Sequence, residues 1–183
     1  MLDWLNSNIS IGTLIWLFPI SFLIHDFEEI IFVDSWFKKY YAKFLPRVPN
    51  RMKSTFQDLA RTTSARFSIP VFFQFIMYVV ASFIAVEQQI YGPLIGFNLI
   101  LFLHVFMHIG QSLYLQVYAL GVGSAICITL PYSIYLFYRF LNERIINLYD
   151  LAISAPFGIL TVIALLGGHK LAHKILPDKN IDA

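Results

Sequence analysis

Five apolar stretches, each near the length that crosses a bilayer, leave this chain few folds to choose from. They run over about 9–33, 69–86, 92–117, 122–140 and 151–166. Roughly 20 apolar residues in a helix span the ~30 Å hydrocarbon core. The chain's 183 residues are 58% hydrophobic and only 13% charged, whereas a soluble domain carries about 25% charge. An all-α, polytopic membrane bundle of about five transmembrane helices, in one domain, is the expected fold. The first apolar run is expected to stay as a helix. It has Asp3 and no Lys or Arg before Lys38, so it lacks the basic start of a signal peptide. Cys127, the one cysteine, excludes an intramolecular disulfide.

Charge placement predicts the orientation. Eleven of the thirteen Lys and Arg residues fall in 34–68 or in the tail, the latter holding Lys170, Lys174 and Lys179. With five spans, both regions lie on one side, which the positive-inside rule makes cytoplasmic. The N-terminus is then outside a bacterial cytoplasmic membrane. The net charge of +2 implies no nucleic-acid partner. Segment 34–68 reads as interfacial. Trp36, Phe37, Tyr40, Tyr41 and Phe44 recur at helical spacing between Lys38, Lys39 and Lys43. This predicts a basic amphipathic helix on the inner leaflet, or continuing into it, that attracts anionic lipid or a lipid-like substrate. The plainer reading is a simple anchor. Pro46 and Pro49 are expected to end it, and Ser54 with Gln57 resembles a capping box for a second helical stripe.

His25-Asp26-Phe27-Glu28-Glu29 stands inside the first apolar run. At 100° per residue, His25, Glu28 and Glu29 fall at about 0°, 300° and 40°, on one face, while Asp26 points about 100° away. Ionisable groups at such depth face a partner, a cavity or an ion. In the third span His104 and His108 are i, i+4 neighbours, and Gln111 continues their stripe. If the inner ends lie near Val33 and Val117, His25 and His108 both sit ~12–14 Å deep. The two stripes are therefore expected to meet. His169 and His173 form a further i, i+4 pair after the last span. They either cap the site from the cytoplasmic side or are a solvated juxtamembrane pair.

Imidazole and carboxylate are the ligands of zinc and of non-haem iron. His25, His108 or its neighbour His104, and one of Glu28 and Glu29 would form a two-His-one-carboxylate set. The spare glutamate would then serve as general base on water acidified by the metal. This predicts a zinc-type hydrolase acting on a lipid or peptide substrate in the cytoplasmic half of the bilayer. A non-haem iron oxidoreductase ranks lower: di-iron bundles repeat Glu-x-x-His on two helices, and here only the reversed spacing occurs, once. A proton- or cation-coupled transporter or sensor would use the same groups, but no charged path leads to the outer side. The bland alternative is a polar cluster that fixes helix register.

The His25-x-x-Glu28-Glu29 element, the later histidine and Tyr118-Ala119-Leu120-Gly121 together resemble the HXXEE-domain family of small bacterial membrane proteins. That family combines the HXXEE motif, another histidine and Tyr-x-Pro-Gly. The resemblance covers about 14–140. It implies that His108 is the second histidine and that Tyr118 supports the site, with Leu120 standing where the family has proline and Gly121 still allowing a tight turn. It implies a fold and a site, and no particular reaction.

Overall fold

The computed structural model describes residues 2–176, all helix, turn and loop without a strand among them. The chain begins with α1 (Leu2–Asn8) and α2 (Ile11–Phe44), which meet at a bend of 102°. Ser10 makes the break, its Oγ accepting from the Thr13 N–H at 3.0 Å as an N-cap. After two 3₁₀ turns come α3 (Lys53–Leu59), α4 (Ser64–Gln88) and α5 (Gly92–Leu115). The next span, Val122–Asn142, is made of α6 (Val122–Ser124), a π turn (Ala125–Thr129) and α7 (Leu130–Asn142). The last helix is α8 (Leu148–Ile175). Four of these spans are long and apolar enough to cross a membrane, five with the bent α1–α2 pair. The protein is an integral, multi-spanning membrane protein.

Side-by-side packing runs α2, α4, α8, α5, α7 and back to α2, so the spans close a ring. Inside it, Tyr78 of α4 packs against Phe18 and Phe22 of α2, each at 4.6 Å between ring centroids, and against Phe97 of α5 at 5.3 Å. The π turn has a local cause. Pro131 has no N–H, and its ring crowds the carbonyl of Cys127 four residues back, so the helix widens. Small residues bring the late helices together. A Cβ at Gly96 of α5 would collide with the Ser154 carbonyl of α8, and one at Gly158 would collide with Ile100. A Cβ at Gly168 would lie 2.5 Å from Pro70 Cα of α4.

Two ends are distinguishable. At one, Arg47 donates to the Leu115 carbonyl at 3.2 Å and Arg66 Nε to the Leu176 carbonyl at 2.7 Å, joining the ends of α5 and α8 to the basic segment. At the other, Arg139 donates to the Ile9 carbonyl at 3.0 Å and pairs with Glu143.

Helix limits differ from the sequence expectation at three places. The basic aromatic segment is the last part of α2, whose 34 residues extend ~51 Å and so outrun ~30 Å of hydrocarbon. Its aromatic face closes on Phe44, Val48, Leu115 and Val117. The Ser54–Gln57 capping box does not form. The chain is already helical at Met52 (φ −105°, ψ −7°), so Ser54 never takes the extended N-cap conformation. The capping box that does form is Asn147 with Asp150, at the start of α8. Finally, α8 runs through Gly167 and Gly168, so His169 and His173 lie on its last turns. Glycine at 168 serves the close approach to α4. Lys179, used above for the orientation, lies outside the described residues.

Candidate metal centre

The imidazole stripes of α2 and α5 meet. The His25 ring lies 5.5 Å from His104 and 5.0 Å from His108, centroid to centroid. His104 Nε2 and His108 Nε2 face each other at 2.7 Å. Glu29 Oε1 lies 3.4 Å from His108 Nε2. His25, Glu29 and His108 are buried and His104 is partly so, and one ligand atom from each of the four lies within 4.8 Å of the others. Tetrahedral zinc with bonds of ~2.05 Å sets its donor atoms about 3.3 Å apart. The observed separations bracket that value. The cluster can therefore hold a divalent metal ion. His25 Nε2 is buried with no hydrogen-bond partner, as a ligand nitrogen would be.

Glu28 goes elsewhere, and the reason is the next span. Its Oε2 accepts from the Ser124 N–H at 2.8 Å and the Ser124 hydroxyl at 2.5 Å. Its Oε1 accepts from the Tyr118 hydroxyl at 2.5 Å. A carboxylate is thus seated at the start of α6, where free N–H groups favour negative charge. Tyr118 in turn accepts from the Gly123 N–H at 2.9 Å. Trp36 Nε1 donates to the Tyr118 carbonyl at 2.6 Å. Burial, then the hydrogen bond to Glu28 and its charge, push the Tyr118 phenol up to about 12, so it remains a donor near neutral pH.

The same serine orients His25. Its single hydroxyl hydrogen goes to the Glu28 carboxylate, which can only accept. His25 Nδ1, 3.1 Å from Ser124 Oγ, must then carry a hydrogen and donate it. That leaves the Nε2 lone pair free, pointing away from Ser124. A hydrogen-bonded partner on the far nitrogen is the usual companion of a metal-binding imidazole.

Gly121 closes the site. Its φ is +80°, a left-handed conformation natural to glycine. A Cβ there would stand 2.6 Å from Glu29 Oε1 and 3.0 Å from His25 Cε1. The turn from Tyr118 to Gly121 therefore folds directly over the HXXEE face, although the two lie about 90 residues apart in sequence.

A family model described as "Protein of unknown function with HXXEE motif" matches residues 16–136. The chain belongs to the HXXEE family. The matched region holds the motif, both α5 histidines and the Tyr118 turn, which touch one another in this structure. No curated protein and no solved structure matches the chain.

The remaining expected residues separate. Gln111 is half-buried and outside the four-residue group. His169 borders a cavity that also touches Glu29 and His104, while His173 is exposed. Several residues escaped the sequence reading. Ser124 follows Gly121 and Gly123 at a helix start, a pattern that signals free N–H groups. Asp26, set aside for pointing off the His25 face, is buried and lines the cavity from another side of α2. Gln74 and Thr161, also buried on that cavity, carry no periodic signal.

Proposed function

We propose that this HXXEE protein is a metal-dependent intramembrane hydrolase acting on a membrane-borne substrate from the cytoplasmic half of a bacterial cytoplasmic membrane. The observation carrying this reading is the approach of three buried or half-buried imidazoles and one carboxylate to within 4.8 Å beside a cavity. His25, His104 and His108 are the metal ligands, and Glu29 is the general base or a fourth ligand. Glu28 acts through Ser124 as a positioning group, because its oxygens already have partners. Zinc is preferred to iron, since a nitrogen-rich donor set with one carboxylate suits four-coordinate zinc. The bound ion would supply Lewis acidity toward a carbonyl or phosphoryl oxygen. The proposed orientation puts the N-terminus outside and the basic end, attracted to anionic lipids, in the cytoplasm.

Elemental analysis of detergent-purified protein tests the reading. About one zinc per chain is expected in the wild type, lost in His25→Ala and His108→Ala. Equal metal content in wild type and both variants would refute the centre. Iron in place of zinc would redirect the chemistry to oxidation.

A further inference from the structure

The cavity beside the cluster has a volume of about 460 Å³. Glu29, Asp26 and His104 border it, and much of the remaining wall is hydrocarbon side chain. Three of its lining residues, Leu103, Met107 and Val162, are 53%, 49% and 42% exposed. They lie on α5 and α8 within the membrane spans, so the mouth faces lipid. The seam has a structural origin. α8 is pinned to α5 at Gly96 and Gly158 and to α4 at Gly168 and Pro70. The stretch of α8 between the pins, with Thr161, Val162 and Leu165, lines the cavity.

We propose that this cavity admits the hydrocarbon chain of a lipid-type amphiphile sideways from the bilayer, between α5 and α8. The chain's polar end then rests against Glu29 and His104. This deepens the hydrolase reading by naming its substrate class, and rests on it only for the fate of the polar end. Two physical arguments favour a hydrocarbon chain over a peptide. A helix ~10 Å across fills about 420 Å³ per turn, so the cavity takes little more than one turn. An unwound peptide would need partners for every amide at hydrocarbon depth; the wall offers Asp26, Gln74, Thr161 and His169 toward its inner part, while Leu103, Met107 and Val162 at the mouth offer none. A hydrocarbon chain needs only apolar contact, at little cost beyond leaving the lipid.

The experiment is photo-crosslinking in proteoliposomes with a fatty acid bearing a chain-terminal diazirine, the adducts located by peptide mass spectrometry. Adducts are expected to concentrate around 103–107 and 162–165. Competition by unlabelled fatty acid should remove them. Leu165→Trp, whose indole occupies the space that the chain would take, should abolish them. Val162→Trp at the exposed mouth is the second variant should the first fail to fold. Both should retain wild-type metal content. Labelling spread evenly over lipid-facing residues such as Phe72 and Phe73, or unchanged in the Trp variants, overturns the proposal. So does displacement of the probe by an apolar peptide but not by fatty acid. Localised, competable labelling in a protein without metal would sink the hydrolase reading and leave the chain site standing. Metal with diffuse labelling does the reverse.

Discussion

Gly121→Ala tests whether the turn between α5 and α6 shapes the candidate metal centre. Alanine at φ +80° costs ~1–2 kcal/mol of backbone strain. Its methyl carbon would lie 2.6 Å from Glu29 Oε1, so the carboxylate must retreat by about 0.8 Å to reach an ordinary 3.4 Å contact. Crowding of this kind in a packed interior costs a further ~1–3 kcal/mol. The total is roughly 2–5 kcal/mol, which for a chain of this size lowers the melting temperature by about 4–20 °C. A displacement near 1 Å at a reacting group also costs on the order of 10²-fold in rate. The assay is thermal melting in detergent, paired with metal content. Gly110→Ala is the control: no atom outside its own helix lies within 4 Å of a Cβ there, and alanine gains up to ~1 kcal/mol of helix propensity. If Gly121→Ala melted with the wild type and held its metal equally well, the proposed closure of the turn over Glu29 and His25 would be wrong.

Ser124→Ala removes the group that holds the His25 tautomer, and is expected to weaken metal binding ~10–100-fold, measured by competition with a chromophoric chelator. Unchanged affinity would show that His25 is oriented by something else. Tyr118 links stability to alkaline pH. Its pKa is higher folded, about 12, than unfolded, ~10. Its contribution is therefore intact below pH 10 and lost as pH rises through 12. Melting temperatures across that window should fall more steeply in wild type than in Tyr118→Phe; parallel curves would count against the bond to Glu28. Gly158→Leu forces α8 off α5 and should cost more than ~3 kcal/mol or prevent folding, seen as loss of the monodisperse peak in size-exclusion chromatography. A folded, wild-type-like variant would refute the close helix crossing.

Helical periodicity alone was enough to find the stripes of α2 and α5, because apolar span length sets depth and residue spacing sets the face. His25 and His108 could be matched in level before any fold was known, and basic residues could be assigned to one end. The choice between Glu28 and Glu29 was not legible. They flank His25 on the wheel, about 60° to one side and 40° to the other, and what separates them is the start of α6 with the turn before it, which reach Glu28 with Ser124 and Tyr118 from about 90 residues away. Asp26 lies off the His25 face, as the helix wheel predicts, and that other side is buried on the cavity. Such a wheel ranks residues by angle to one neighbour, whereas α2 in the ring faces α4 as well as α5 and α7, and the cavity lies toward that other side. The last helix outruns the apolar stretch that ends near Leu166, because Gly167 and Gly168 continue it, Gly168 lying against Pro70 of α4. Local sequence thus determined the helices, their depth and the imidazole stripes. Only the tertiary structure decided which carboxylate joins the imidazoles and where the cavity opens, since both depend on contacts between spans far apart in the chain.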